Sequence, residues 1–340
     1  MYLCYNLGSF RGYRGMKKAY SLEESYVLLD DISKVFLSFL NHLMEIVEVN
    51  QINLVGAGNS ISAGWTAIDN NVCPWIEKLK PFIDANNNRG LNIQFANFSI
   101  AGNNSNKQIY EFLSTNPSLE QVKEHFSHIF DGWKETYNGT LLENYVDKDV
   151  AMSFYPGGFN HLCDYYQSDV FTLTTFFGCT GELLDHLDKL KSKEGRVSIF
   201  KKEILYMQKL VTYLLAQSKN SYVTLGNFPF ITRYIPIINS WIKDINKQIE
   251  NCALNNPRTM YFDGVYLDLV NHYHGKLKLD NHPSLEWQYT SLYHYVEFLM
   301  RQLPLALMRQ DTIQDKFVLE RKYHALDYDG NMRERMKQEY

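Results

Sequence analysis

The sequence predicts an α/β protein, a three-layer sandwich on a mainly parallel five-stranded sheet, with helical additions at both the N- and C-terminal ends. Three observations predict it. Short strand-like runs alternate with stretches of helical spacing along the chain, the pattern of a parallel sheet. The first run, Ile52-Asn53-Leu54-Val55, is apolar enough to be a strand buried on both faces. Gly-, Ser- and Asn-rich loops follow the runs, at the carboxyl edge where open α/β sheets carry their sites.

Residues 1–20, rich in Tyr, Gly and basic side chains, read as an arm. Ser21-Leu22-Glu23-Glu24 is a capping box. Leu28, Ile32, Val35, Phe36, Phe39, Leu43 and Ile46 then recur at helical spacing, so one amphipathic helix is expected over about 22–48. The first strand follows. Val72, Trp75, Ile76, Leu79, Phe82 and Ile83 form a second helical stripe, broken by Asn86-Asn87-Asn88-Arg89-Gly90. Strand two is expected over 91–98. Residues 105–148 are polar and helical in pattern and read as an insertion.

Asp149-Val150-Ala151-Met152-Ser153-Phe154 is read as strand three, with helices over 160–190 and 197–218. Ser221–Gly226 and Thr259–Phe262 are expected as strands four and five, with a helix from Ile237 to Ala253 between them. A helix over about 285–302 precedes a charged tail. The expected organisation is an arm and helix over 1–49, a main domain over 50–303 and a tail over 304–340.

Composition narrows the classes. The 340 residues carry a net charge of −4, with a pI near 6.2, so no nucleic-acid or other polyanionic partner is expected. Five scattered cysteines lack any C-x-x-C pair and read as reduced thiols. The first residues show no basic stretch leading into an apolar one, and no apolar run is long enough to span a bilayer. A cytoplasmic protein without membrane contact is therefore the expectation. The 24 Tyr and 20 Phe include faces able to stack on sugar rings, although packing is their commoner use. His125, His128, His272 and His274 complete no metal-ligand spacing, and Asp327-Tyr328-Asp329-Gly330-Asn331 lacks the glutamate of a calcium loop. Neither a metal nor a cofactor is expected.

The loop after strand one, Gly58-Asn59-Ser60-Ile61-Ser62-Ala63-Gly64, carries the chemistry. Val55-Gly56-Ala57-Gly58 begins like a dinucleotide fingerprint, but its third glycine position is Ile61, whose branched Cβ blocks close helix–strand packing. The G-x-S-x-G elbow fails at Ser62. A serine at the edge of the sheet remains.

The stretch resembles the first block of the SGNH (GDSL-type) hydrolases, with Asn59 where Asp is usual. Phe98-Ser99-Ile100-Ala101-Gly102-Asn103 resembles the second block, Gly158-Phe159-Asn160 the third, and Asp280-Asn281-His282-Pro283 the fifth, one residue shorter than usual between acid and histidine. The likeness covers about 50–303. It implies the flavodoxin-like form of the sandwich and hydrolysis of a carboxylic ester. Ser60 would be the nucleophile, His282 the base and Asp280 its orienting acid. The Ser60 and Gly102 backbone N–H groups and the Asn160 amide would form the oxyanion hole.

The residue types fit these roles. A serine hydroxyl needs a base to take its proton, and imidazole titrates near neutrality. The implied substrate is a small-molecule or glycan ester, with a small acyl group such as acetyl on a carbohydrate or similar alcohol. An acyltransferase using the same residues, and a non-catalytic glycan-binding or scaffold protein on the same fold, are the alternatives. Asn59 and the shortened last block keep the second of these open. The sequence sets no oligomeric state.

The shortened block yields a prediction. Asp280→Asn is expected to lose most activity, up to about 10⁴ in kcat, because a triad acid fixes the imidazole tautomer. Asp263→Asn and Asp268→Asn are expected to keep it. Steady-state hydrolysis rates of the three variants decide, and a near-normal Asp280→Asn enzyme would remove the acid from the site.

Overall fold

The computed structural model describes residues 20–58, 62, 75–97, 99, 111, 114, 115, 169–177, 187–227, 236–263 and 285–310. In chain order its elements are α1 (Leu22–Val47), β1 (Gln51–Gly58), a 3-10 turn (Ile76–Leu79), α2 (Lys80–Asn86), β2 (Ile93–Asn97), β3 (Val170–Phe177), α3 (Leu187–Leu190), α4 (Lys193–Gln217), β4 (Ser221–Gly226), α5 (Pro236–Leu254), β5 (Thr259–Phe262) and α6 (Leu285–Gln310). The five strands form one sheet in the order β2-β1-β3-β4-β5, every pair parallel. This is a doubly wound order, in which the crevice beyond the carboxyl ends of β1 and β3 is the place for a ligand.

Helices cover both faces. Ile52 and Leu54 of β1, Phe95 of β2, Phe171 and Leu173 of β3, and Met260 and Phe262 of β5 join a cluster built by α1, the 76–79 turn and α6. Val55 and Ala57, at alternate positions on β1, face the other way. There α4 and α5 pack against β4 and β5, burying Met207, Leu210, Leu214, Ile242, Ile245 and Ile249.

The capping box forms as expected. Ser21 Oγ accepts from the Glu24 N–H at 3.1 Å and Glu24 Oε2 accepts from the Ser21 N–H at 2.9 Å. Such a cap contributes about 1 kcal/mol to its helix. The second stripe begins as a 3-10 turn before it becomes α2. β4 and β5 occupy the expected residues, and α6 continues through Pro304 to Gln310, past the expected 302.

The third strand is a correction. Val170–Phe177, read from sequence as helix, lies between β1 and β4, in register from Gln51↔Val170 to Gly58↔Phe177 and from Thr172↔Ser221 to Phe177↔Gly226. Residues 149–154 lie outside those described. Val, Thr and Phe all suit a pleated strand. Thr172, Thr174 and Thr175 broke the apolar run that a buried strand normally shows, yet all three are buried. Asn53 Nδ2 donates to Thr172 Oγ1 at 3.4 Å, and Thr175 Oγ1 is bonded to the Tyr295 hydroxyl.

One half-buried acid opposes this packing. Glu77, in the turn before α2, has its Oε1 shut away from water without a hydrogen-bond partner among the described residues. Burial pushes its pKa up from 4.5 to about 8, against the opposing pull of Lys78 and Lys80. Between these values the folded chain keeps a proton that the unfolded chain releases. Stability therefore falls as pH rises through this window, and is fully retained below it. Glu77→Gln is expected to flatten that fall, read as urea midpoints at about pH 5 and about pH 8. Identical pH slopes in the two proteins would show that Glu77 ionises freely in the fold.

Candidate active site

Ser60, Gly102, Asn160, Asp280 and His282 lie outside the described residues, as do the 105–148 insertion and the histidines at 125, 128, 272 and 274. Their described neighbours fix the frame around them. β1 ends at Gly58, whose φ of 139° is open to glycine and strained for other residues. Ser60 follows two residues later. Ser62 is described and buried, and its hydroxyl has no hydrogen-bond partner among the described residues. Ser99, also buried, lies three residues before Gly102. Asp263 directly follows β5, with its Oδ1 turned away from solvent.

The direction of α6 bears on His282, three residues before its first turn. Arg309 Nη2, near the end of α6, donates to the carbonyl of Thr259, the first residue of β5, at 3.2 Å. Tyr222, early in β4, is hydrogen-bonded through its hydroxyl to Gln310. Higher on the helix, Tyr295 and Phe298 pack on Phe262, the last residue of β5, with ring centroids 5.2 and 5.0 Å apart. The helix thus descends from the carboxyl edge of the sheet to the amino edge. Leu285 lies about 15 Å along the axis before Tyr295, at 1.5 Å per residue.

Two polar clamps hold this helix. The Tyr295 hydroxyl is bonded to Thr175 Oγ1 of β3 and donates to Thr224 Oγ1 of β4 at 3.4 Å. The ring is fully buried, and burial pushes the phenol up to about 12, so it stays a neutral donor. The second clamp is Trp75. Its indole Nε1 donates to Ser291 Oγ at 2.9 Å and to the Gln288 carbonyl at 3.2 Å, both near the start of α6. Its backbone N–H donates to the Ser62 carbonyl at 3.0 Å. One buried residue therefore bonds both the loop after β1 and the top of α6.

The register bears on one assignment. Gly58 and Phe177 are level across β1 and β3; in sequence Gly178-Cys179-Thr180 follows β3 as Asn59-Ser60 follows β1. The resemblance gives Asn160 its role through the Gly158-Phe159-Asn160 block, which with the expected strand at 149–154 lies outside the described residues. In sequence Asn160 precedes β3, which begins at Val170. Sequence reasoning placed Gly178–Thr180 within a helix over 160–190 because it missed the strand before them. A run of β-branched and aromatic residues ending in glycine was the available signal.

Among the described residues no group of His, Cys, Asp and Glu is placed to hold a metal ion, and no helix is long and apolar enough to cross a membrane.

No family model matches the chain, and no curated protein matches it. Solved structures do. A lipase from a goat rumen metagenome is 15% identical, with a TM-score of 0.44, over 72% of this chain and 96% of its own. A member of the lipolytic protein G-D-S-L family from Veillonella parvula is 12% identical, with a TM-score of 0.36, over 74% of this chain and 99% of its own. An acetyl xylan esterase from the rumen bacterium Butyrivibrio proteoclasticus is 11% identical, with a TM-score of 0.38, over 74% and 64% respectively. Overlaps at this level do not assign the chain to a family.

Proposed function

We propose that the chain is a serine-dependent carboxylic ester hydrolase acting through an acyl-serine intermediate. One observation carries the reading. The motif serine leaves the carboxyl end of β1, the motif histidine precedes α6, and Trp75 bonds the loop of the first to the helix of the second. Two segments more than 200 residues apart in sequence are tied at one edge of the sheet.

In the proposed reaction His282 takes the Ser60 proton as the hydroxyl attacks the acyl carbonyl. The carbonyl oxygen becomes an oxyanion, held by the Ser60 and Gly102 backbone N–H groups and one further donor. His282 then protonates the departing alcohol, and Asp280 keeps the imidazole in the right tautomer. Water, deprotonated by His282, attacks the acyl-serine and releases the carboxylic acid and Ser60. The substrate proposed is a small acyl ester, such as acetyl, of a carbohydrate or similar alcohol. The short Asn59–Gly64 loop and the aromatic content support it.

Ser60→Ala is expected to abolish hydrolysis of p-nitrophenyl acetate with the fold intact by circular dichroism. A fluorophosphonate is expected to label Ser60 stoichiometrically in the parent protein. Unchanged turnover in the variant would end the serine assignment, and an unlabelled Ser60 in a folded protein would favour the binding-protein reading. Turnover that rises with an added alcohol acceptor and yields its ester would identify a transferase.

The third oxyanion donor has two candidates, Asn160 by motif and Thr180 by register. The register favours the segment after β3. Thr180→Val is expected to lower kcat by about 10-fold or more at little change in KM, as loss of a transition-state donor does. Asn160→Ala is expected to stay within about threefold of the parent on the same logic. The opposite pattern would return the role to Asn160.

A further inference from the structure

Trp75 has the packing of an ordinary core residue, at 1% exposure, with its ring edge-on to Tyr295 at 5.1 Å between centroids. Its hydrogen bonds are not ordinary. A core indole needs one partner for its N–H. Here the N–H reaches Ser291 Oγ and the Gln288 carbonyl together, and Ser291 Oγ itself donates to the same carbonyl at 2.9 Å. Ser291 and Gln288 are both fully buried, so an indole N–H that lost these acceptors would find no water to replace them. The backbone of Trp75 holds Ser62, two residues past Ser60.

We infer that Trp75 is a positioning residue, a strap that sets the distance between the nucleophile loop and the start of the last helix without touching substrate. The inference rests on the ester-hydrolase reading for its effect on rate, but its structural half stands apart from it. Apolar packing alone lets a helix slide along a sheet by fractions of a turn. Directional bonds from a single rigid ring to Ser291 and Gln288, and from its backbone to Ser62, do not. An error of about 1 Å between nucleophile and base costs on the order of 10²-fold in rate, so a strap at this point acts on kcat before it acts on binding.

The test compares the parent with Trp75→Phe, which keeps an aromatic ring against Tyr295 and removes the N–H, and with Ser291→Ala, which removes the hydroxyl that accepts from the indole and donates to the Gln288 carbonyl, at the loss of a single core atom. Deuterium uptake is followed in peptides covering 59–75 and 280–291, together with kcat and KM on p-nitrophenyl acetate. In Trp75→Phe both peptides are expected to exchange faster together, while peptides from α4 and α5 do not change. The kcat is expected to fall about 10- to 100-fold with KM held within about twofold. Ser291→Ala is expected to show the same pattern more weakly, and the double variant to be no worse than Trp75→Phe alone, as for two ends of one bond.

Faster exchange in one of the two peptides alone, or unchanged exchange in both, would overturn the strap. So would a kcat loss in Trp75→Phe that adds fully to that of Ser291→Ala. A parent protein that neither turns over ester nor takes the fluorophosphonate would overturn the hydrolase reading instead, and the exchange result would still decide for or against the strap. Should Trp75→Phe not fold, Ser291→Ala decides on exchange and rate alone.

Discussion

The height of α6 against the sheet is the constraint on which the proposed site would depend. Burial of Leu292, Val296, Leu299 and Leu303 holds the helix to the core, but burial is non-directional and leaves sliding cheap. The Tyr295 hydroxyl removes that freedom. It lies between Thr175 and Thr224, each two residues from the carboxyl end of its strand. All three residues are buried, so a shift of the helix would strand hydroxyls where water cannot reach them, at about 1–3 kcal/mol for each. A small polar network thus does what a larger apolar one cannot.

The outer side of the helix is set by α1. Ser25 Oγ and the Tyr20 backbone N–H both meet Thr290 Oγ1, at 3.2 and 3.1 Å, and Tyr26 stands edge-on to Tyr289 at 4.8 Å. These residues lie near the starts of both helices, so α1 and α6 run side by side in the same direction. That direction is useful twice. It brings α6 down from the carboxyl edge, and it delivers α1 to the amino edge, where Val49 and Asn50 turn into β1. The helix before the first strand is therefore part of one layer of the sandwich, with Leu29, Phe36, Phe39 and Leu43 in the same cluster as α6.

Much of the fold was legible in the sequence because it follows simple periods. Ser221–Gly226 and Thr259–Phe262 are short and bounded by polar residues, and α1 announces itself with a capping box and a stripe. β3 was not legible for a chemical reason. A threonine counts as polar in a hydropathy pattern, but its branched Cβ suits a strand and its hydroxyl can be buried once a partner meets it. Those partners, Asn53 and Tyr295, come from β1 and α6 and are invisible from the strand itself. The same limit applies to Trp75. Its place in an apolar stripe was readable, but the reach of its indole N–H to a helix more than 200 residues away was not. Ser60, Asn160, Asp280 and His282 themselves lie outside the described residues; what the structure fixes is the end of β1 before Ser60, the start of α6 after His282, and β3 ten residues after Asn160.

The choice of third donor turns on what holds a group still, and not on whether the chain can reach. Ten residues separate Asn160 from Val170, and such a length spans up to about 33 Å when extended. β3 itself, at eight residues, is about 26 Å long. Reach alone would allow Asn160 to fold back over the strand to its far end. A catalytic donor, however, must be held to within about 0.5 Å of its productive place. The first residues beyond a central strand inherit that precision from the ladder behind them, which here is paired on both sides as far as Gly58↔Phe177 and Phe177↔Gly226. A residue ten positions before a strand has no such ladder directly behind it and needs packing of its own to be held as well. On that ground the proposed third donor is sought first in the segment that directly follows β3.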